Sequence, residues 1–162
     1  MNQTILDWGN AIVSGFNYNR YWKIHDKLEK CSSPKLLKYF YMLYLKRIEA
    51  KQCSSLGHKI DIVPHFDSHP YLPHGLKGIF ISNRSSFGKN CRIYQNVTVG
   101  IKYPNVLIGA HVGDNVIIGA GAIIIGSVHI GSNVKIGAGA VVTHDIPDNC
   151  TVVGNPARII QH

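Results

Sequence analysis

The sequence predicts a mainly β protein, a parallel β-helix preceded by a short α-helical segment. The first observation is a six-residue repeat of aliphatic residues that begins at Ile81, a period that fits neither an α-helix nor a flat strand. The second is helical spacing near the N-terminus, as in RYWKIHDKLEKC (20–31). The third is glycine, which is sparse up to residue 58 and abundant afterwards. We therefore expect a helical segment at 1–58 and a β-helix domain with a C-terminal tail at 59–162.

The six-residue repeat extends over eleven leading positions with one irregular step. The leading residues are Ile81, Phe87, Ile93, Val99, Val106, Val112, Ile118, Ile124, Ile130, Ile136 and Val142. The step from Val99 to Val106 is seven residues, so the register slips by one within GIKYPN (100–105). Four positions after most leaders stands a small or β-branched residue, such as Ala122 or Val134.

This repeat predicts a solenoid in which each hexad supplies one short strand and one turn. Three hexads, about 18 residues, close one triangular coil, and successive coils stack at roughly 4.8 Å. We expect the leading aliphatic side chains to fill the interior and the small residues to fit the corners. Glycine should supply the backbone conformations of the turns. The register slip predicts a loop at one corner, where function is often located.

Charge and cysteine content limit the kinds of partner and the cellular compartment that the sequence predicts. The chain has 17 Lys and Arg against 9 Asp and Glu, a formal net charge of +8, which favours an anionic partner such as a phosphate-bearing cofactor, an acidic saccharide or a membrane surface. No nucleic-acid-reading motif is present, so we expect no nucleic acid partner. The four cysteines form no CxxC pair, and MNQTILDWGN (1–10) lacks signal-peptide features. These observations predict reduced thiols in the cytoplasm.

The apolar stretch LLKYFYMLYL (36–45) is far short of the roughly 20 residues that span a bilayer. Basic residues flank it, including Lys35, Lys46 and Arg47. Two interpretations are open: a helix that packs on the main domain or a sister subunit, and an amphipathic helix on the inner membrane face.

Two longer motifs resemble a known superfamily. VGDNVIIGAGAIIIGSVHIGSNVKIGAGAVV (112–142), followed by VVGNPARII (152–160), resembles the hexapeptide-repeat acyltransferases. GIFIS (78–82) and GKNCRIYQNVTVG (88–100) resemble the serine acetyltransferases and their saccharide O-acetyltransferase relatives. This resemblance implies a left-handed parallel β-helix, a homotrimer with active sites between subunits, and acetyl-CoA as acyl donor.

The resemblance also implies a catalytic base. HGLKGIFI (74–81) is similar to the family's H-x-x-G-[IV]-x-I segment, with one additional residue, and makes His74 the base that accepts the acceptor's hydroxyl proton. DIVP (61–64) is similar to the family's D-I-H-P segment and makes Asp61 the carboxylate that orients the imidazole. Asp67 is a rival for that role, and a structural role of His74 at the β-helix entrance is the alternative.

Further site residues follow from the same resemblance. The IGAGA segments place Ala120 and Ala138, one coil apart, where the family binds the pantetheine arm of CoA. Gly100 is a weaker candidate for that arm, and Arg158 suits the CoA phosphates because a guanidinium binds phosphate oxygens.

The loop and its surroundings supply candidates for acceptor binding, Tyr103 and His111. His111 and His129 also lie one coil apart, which raises the question of zinc. The zinc-containing β-helix enzymes have two histidines five residues apart after a longer gap, and the hexads of this chain contain no such pair, so we expect no metal.

Some segments of the sequence differ from the motifs of serine acetyltransferases, and these differences bear on the acceptor. GIKYPN (100–105) replaces the G-G-T-G-K loop and the R-H-P segment typical of serine acetyltransferases, and the helical segment is short. These departures favour a small-molecule or lipid-linked saccharide hydroxyl, as in capsule, exopolysaccharide or O-antigen biosynthesis. Serine is the alternative acceptor, and a non-catalytic β-helix scaffold is the alternative of another class.

Overall fold

A computed structural model describes residues 16–29, 34–60, 62–104 and 108–160. Helix α1 spans Tyr18–Glu29 and helix α2 spans Lys35–Lys51. The strands that follow are β1 His65–Phe66, β2 Phe80–Ile81, β3 Ser86–Phe87, β4 Arg92–Ile93, β5 Thr98–Gly100, β6 His111–Val112, β7 Ile117–Ile118, β8 Ile123–Ile125, β9 His129–Ile130, β10 Lys135–Ile136, β11 Val141–Val142, β12 Thr151–Val153 and β13 Arg158–Ile160. No helix within these described ranges is long and apolar enough to cross a bilayer.

The strands form three sheets, and from β1 to β12 consecutive strands fall in different sheets. The strand orders are β1-β3-β6-β9, β4-β7-β10-β12-β13 and β2-β5-β8-β11. Pairing is parallel throughout these ladders except between β12 and β13, which are antiparallel. Each full coil therefore contributes one strand to each face of a triangular prism, as the six-residue repeat predicts.

The interior of the prism is a continuous apolar column. Every leading residue in the described ranges is buried, and Ile93, Val112, Ile118, Ile124 and Ile130 are fully so. The corner residues at the fourth position, such as Ala122 and Val134, are buried as well. The predicted inward orientation is confirmed. Because each short strand buries little area alone, the stacking of coils provides the core.

The irregular step differs from its prediction. Val112 pairs with Ile130, 18 residues later, but Phe87 pairs with Val112, 25 residues later. The insertion is therefore seven residues, a complete hexad plus one. Val106 lies outside the described residues, so its assignment as a leader stays a prediction. The loop itself is confirmed, because the chain leaves the ladder after Gly100 and rejoins it at His111.

Some turn glycines supply the predicted backbone conformation, since Gly75, Gly78, Gly121 and Gly139 have φ between 64° and 68°. Other corner glycines have a different role. Gly119 and Gly131 do not have positive φ angles, but a Cβ at either would lie 2.6 Å from a backbone nitrogen of the next coil. Their role is close approach between coils. Asparagine occupies further left-handed positions, with φ between 57° and 61°, because asparagine tolerates this region better than other residues with a Cβ. These asparagines are Asn90, Asn96, Asn115, Asn133 and Asn149.

Four of the asparagines form a ladder along one corner. The side-chain nitrogen of Asn90 donates to Asn115 (3.2 Å), that of Asn115 to Asn133 (3.0 Å), and that of Asn133 to Asn149 (2.9 Å). The ladder joins successive coils through side chains as well as through the backbone.

The helices pack against the first coil. Tyr21 and Trp22 are buried, and the Trp22 ring lies 5.1 Å from that of Phe66 in β1. The Tyr21 hydroxyl donates to Glu49 Oε1 at 2.7 Å, and His58 Nδ1 contacts the same oxygen. Helix α2 ends at Lys51, and Ser55 already bridges to Phe80 of β2. The helical segment therefore passes directly into the prism.

The outer face of α2 is apolar and exposed. Leu36, Tyr39, Phe40 and Leu43 lie at helical spacing and are 70%, 45%, 58% and 43% exposed. This face suits either interpretation of the helix, so sister-subunit packing and membrane-surface binding both stay predictions.

Candidate active site

His74 lies in a turn that is held in place by buried apolar side chains. Leu72, Leu76 and Ile79 are buried on either side of it. The Gly75 amide donates to the Leu72 carbonyl at 3.1 Å, and the Ile79 amide to the Leu76 carbonyl at 3.0 Å. The buried leucines fix the turn and leave His74 exposed at its tip.

The turn rests on the next coil at the corner between β4 and β5. The Asn96 amide donates to the Lys77 carbonyl at 3.0 Å. The His74 ring lies 6.2 Å from the Tyr94 ring at 51°. Nothing in the motifs singled out Tyr94, but its position one residue beyond β4 in the coil beneath the turn was a usable signal.

The same corner continues through the following coils. The Gly121 amide donates to the Gln95 carbonyl at 3.0 Å, and the Gly139 amide donates to the Ala120 carbonyl at 2.9 Å. The structure therefore brings the His74 turn and the segments that contain Ala120 and Ala138 to one edge of the prism. We call this edge, formed by residues 72–78, 94–96, 119–121 and 137–139, the His74 edge.

The His74 edge is open on its outer side. A Cβ at Gly121 or Gly139 would meet nothing within 4 Å. Open space and backbone groups at this edge suit a ligand with amides.

Arg158 lies at the C-terminal end of this region. It begins β13 and pairs with Val153 of β12. Val153 Cγ1 would lie 2.8 Å from a Cβ at Gly137, the first residue of the last segment in the His74 edge. Arg158 is exposed, so its guanidinium is accessible to a phosphate.

The remaining candidates lie at another corner. Gly100 ends β5, and its carbonyl accepts from the Gly126 amide at 2.9 Å. Tyr103 is 85% exposed on the loop. The β2-β5-β8-β11 sheet separates this corner from the His74 edge, so a single chain does not bring these residues to His74.

His111 begins β6 beyond the loop and is exposed. Its Nδ1 is 2.7 Å from Ser86 Oγ. Its ring stacks on that of His129 with centroids 4.9 Å apart, which confirms that the two histidines occupy equivalent places in successive coils.

The carboxylate partner of His74 stays a prediction. Asp61 lies outside the described residues. Asp67, its rival, places Oδ1 3.0 Å from His65 Nε2, and its amide donates to the Phe87 carbonyl at 2.9 Å. Hydrogen bonding to Glu29, with a smaller contribution from Asp67, raises the pKa of His65. In this arrangement Asp67 is a hydrogen-bond partner of His65.

Known proteins share both the repeat and the fold. Residues 109–144 match the family model described as bacterial transferase hexapeptide (six repeats). The chain is 37% identical over 120 residues to a serine acetyltransferase from Synechococcus elongatus, a match that covers 65% of this chain and 46% of that protein. The chain thus spans about half the length of the curated relatives it matches.

Two solved structures are also similar. A Neisseria gonorrhoeae serine acetyltransferase in complex with serine has a TM-score of 0.70 at 31% identity, covering 91% of this chain and 57% of that chain. A serine acetyltransferase in complex with CoA has a TM-score of 0.68 at 29% identity, with the same coverage.

These likenesses agree with the architecture described above. The matched repeat falls on β6 to β11, the most regular part of the prism. The structural matches cover 91% of the chain. The predicted fold, a left-handed parallel β-helix with a short helical segment, is confirmed. The chain carries the hexapeptide repeat of the bacterial transferases and is similar in sequence and fold to serine acetyltransferases, members of the hexapeptide-repeat acyltransferase superfamily.

Proposed function

We propose that this protein is an acetyl-CoA-dependent O-acetyltransferase with His74 as its general base. The observation that carries the proposal is the His74 edge, which combines an exposed imidazole on an anchored turn with the open corners at Gly121 and Gly139. The similarity to a serine acetyltransferase solved with CoA supports acetyl-CoA as the donor.

In the proposed reaction, His74 removes the proton from the acceptor hydroxyl as its oxygen attacks the thioester carbonyl. The carbonyl carbon becomes tetrahedral, and its collapse breaks the carbon–sulfur bond. His74 then returns the proton to the departing sulfur. Asp61 stabilises the transient imidazolium, and the backbone of Ala120 and Ala138 binds the pantetheine amides. Arg158 binds the CoA phosphates.

Serine is the acceptor we propose. The relatives described above are serine acetyltransferases, one of them solved with serine. They favour the alternative of the sequence analysis over its main interpretation, a saccharide in polysaccharide biosynthesis. A saccharide is retained as the second candidate because of one observation: Tyr103, 85% exposed, stands on a loop that departs from the serine enzymes' motif.

The candidate site residues lie at two different corners of the prism, and in a homotrimer these corners would meet at the contact between two chains. We propose that the loop corner of one chain, with Gly100, Tyr103 and His111, faces the His74 edge of its neighbour. The acceptor and the acyl donor would then meet between subunits. Site formation would require assembly, so activity should fall on dilution to concentrations at which the chain is monomeric.

The experiment measures thiol release from acetyl-CoA with serine and with a panel of sugars. We expect His74→Ala to lower kcat/KM by about 10²-fold or more, the usual contribution of a general base. His144→Ala is the matched control, because His144 is exposed and lies outside the His74 edge. Unchanged turnover in His74→Ala would overturn its role as base. Release with sugars but not with serine would select the second candidate, and release with neither would favour the scaffold.

A further inference from the structure

His25 is a buried histidine without a hydrogen-bond partner. Its side chain is 1% exposed, and neither ring nitrogen has a partner among the described residues. Its ring lies 5.0 Å from that of Trp22, 5.7 Å from Phe66 and 5.1 Å from His58. Buried polar atoms are normally paired, so an orphaned imidazole needs a physical explanation.

Two carboxylates converge on the same ring. His25 Nδ1 is 3.8 Å from Asp26 Oδ1, too far for a hydrogen bond. Ligand atoms of His25, Asp26 and Glu29 all lie within 4.8 Å of one another. Ligands of one tetrahedral zinc ion are about 3.3 Å apart, given bonds of about 2.0–2.1 Å. A small closure of this group would suffice for coordination.

The two carboxylates are in turn held by histidines from the β-helix. His69 Nε2 is 2.8 Å from Asp26 Oδ1, and its ring stacks on Trp22 at 4.9 Å and 17°. His65 Nδ1 is 2.6 Å from Glu29 Oε1. Hydrogen bonds of this kind orient the ligands of metal sites, because a fixed carboxylate loses less freedom on binding.

The charge distribution points the same way. The chain has a net charge of +8 and only nine acidic residues, yet Asp26, Glu29 and Asp67 face one another across the junction of α1 with β1 through His65 and His69. Carboxylates concentrated around an unpaired buried imidazole create a local site for a cation.

We propose that His25, Asp26 and Glu29 bind a divalent first-row metal ion, with zinc the preferred occupant and His65 and His69 as positioning residues. One imidazole and two carboxylates, without a thiolate, match Zn²⁺ and its neighbours in the series. Calcium and magnesium prefer sites made of oxygen alone. All three ligands stand on α1, and the hydrogen bonds of His65 and His69 to the carboxylates link the site to the first coil. It has no part in acyl transfer.

The test uses the full-length chain without a histidine tag, freed of metal with a chelator. Zinc titration by calorimetry should give one bound ion per chain, and cobalt should give the visible absorption of a tetrahedral site. Saturation with zinc should raise the thermal midpoint by several degrees, on the order of 5 °C at 100-fold excess over Kd.

Variants separate this site from adventitious binding. Glu29→Gln and Asp26→Asn keep the side-chain shape and alter partly exposed groups, so both should fold and lose the bound ion. His69→Ala should weaken binding by about 10–100-fold. The matched control is His129→Gln, which disrupts the other close histidine pair, His111 with His129, and should leave the binding unchanged.

Three results would overturn the proposal. The first is a wild-type chain that binds no zinc. The second is undiminished binding in both Glu29→Gln and Asp26→Asn. The third is loss of binding in His129→Gln alone, which would place the ion on the surface histidines. Circular dichroism of each variant confirms that loss of binding is not loss of fold.

Discussion

Substitution of Gly119 by alanine should separate close approach from backbone conformation as the reason for glycine at the corners. A Cβ at Gly119 would lie 2.6 Å from the Ala138 nitrogen and 2.9 Å from the Ile136 oxygen. Both atoms belong to the backbone of the next coil, so no side chain can move aside. A Cβ at Gly121 would meet nothing within 4 Å, although φ there is +68°. The two alanine variants therefore differ in what they perturb.

The cost at Gly119 follows from the distance that the coils must open. Ordinary contact begins at 3.4 Å, so relief requires about 0.8 Å of movement, enough to lengthen the 2.8 Å bond from the Gly119 amide to Ile136 beyond hydrogen-bonding range. The bond from the Gly139 amide to Ala120 crosses the same interface. Loss of two such bonds at about 1 kcal/mol each, with some overpacking, gives about 2–3 kcal/mol. Gly121→Ala should cost about 1 kcal/mol, the penalty of the left-handed region less a gain from a stiffer unfolded chain.

The assay is thermal denaturation at a fixed protein concentration, because assembly would otherwise alter the apparent thermal midpoint. We expect Gly119→Ala to lower the thermal midpoint by on the order of 4–12 °C and Gly121→Ala by less. Equal losses, or a larger loss in Gly121→Ala, would refute the claim that backbone contact between coils requires glycine at 119.

Three further predictions concern stability and reactivity. In the asparagine ladder, Asn133→Ala should lower the free energy of unfolding by about 2 kcal/mol and Asn133→Gly by less, since glycine retains the left-handed conformation; denaturant midpoints of the pair measure the difference. Glu49→Ala should cost about 3 kcal/mol or more, because the buried Tyr21 hydroxyl would lose its acceptor; a denaturation curve that coincides with wild type would contradict this. Burial raises the pKa of Cys91 to about 11. Near neutral pH a thiol reagent should therefore label the exposed Cys53, and it should label Cys91 only after unfolding. Mass spectrometry of the native and the denatured chain measures which cysteine is labelled in each state.

The β-helix could be predicted from the sequence because its core is periodic. Each inward position, from Ile81 to Val142, faces an equivalent position in the next coil, so local spacing carries the information about distant contacts. The loop broke this relation. The sequence indicates a slip of one residue at the loop, and only the pairing of Phe87 with Val112 shows that the shift between the two coils is seven residues.

The candidate site was partly predictable for the same reason. Ala120 and Ala138 are one coil apart, so their alignment followed from the period, whereas their position below His74 depends on the Asn96–Lys77 hydrogen bond. Tyr94 could not be found from a motif. The cluster around His25 was invisible to spacing, because its members come from a helix and from a separate coil that only packing brings together.

The reversed direction of β13 has a consequence for self-association. A parallel coil presents at its end the same amide and carbonyl groups with which one coil recognises the next, so an uncovered end is a template for another molecule. Residues 158–160 run antiparallel along β12 and occupy those groups on one face. A second molecule that approaches this end as a further coil would find the backbone groups of β12 already paired with β13. Deletion of β13 should therefore convert a closed molecule into one that polymerises end to end, and light scattering of the truncated chain would show it.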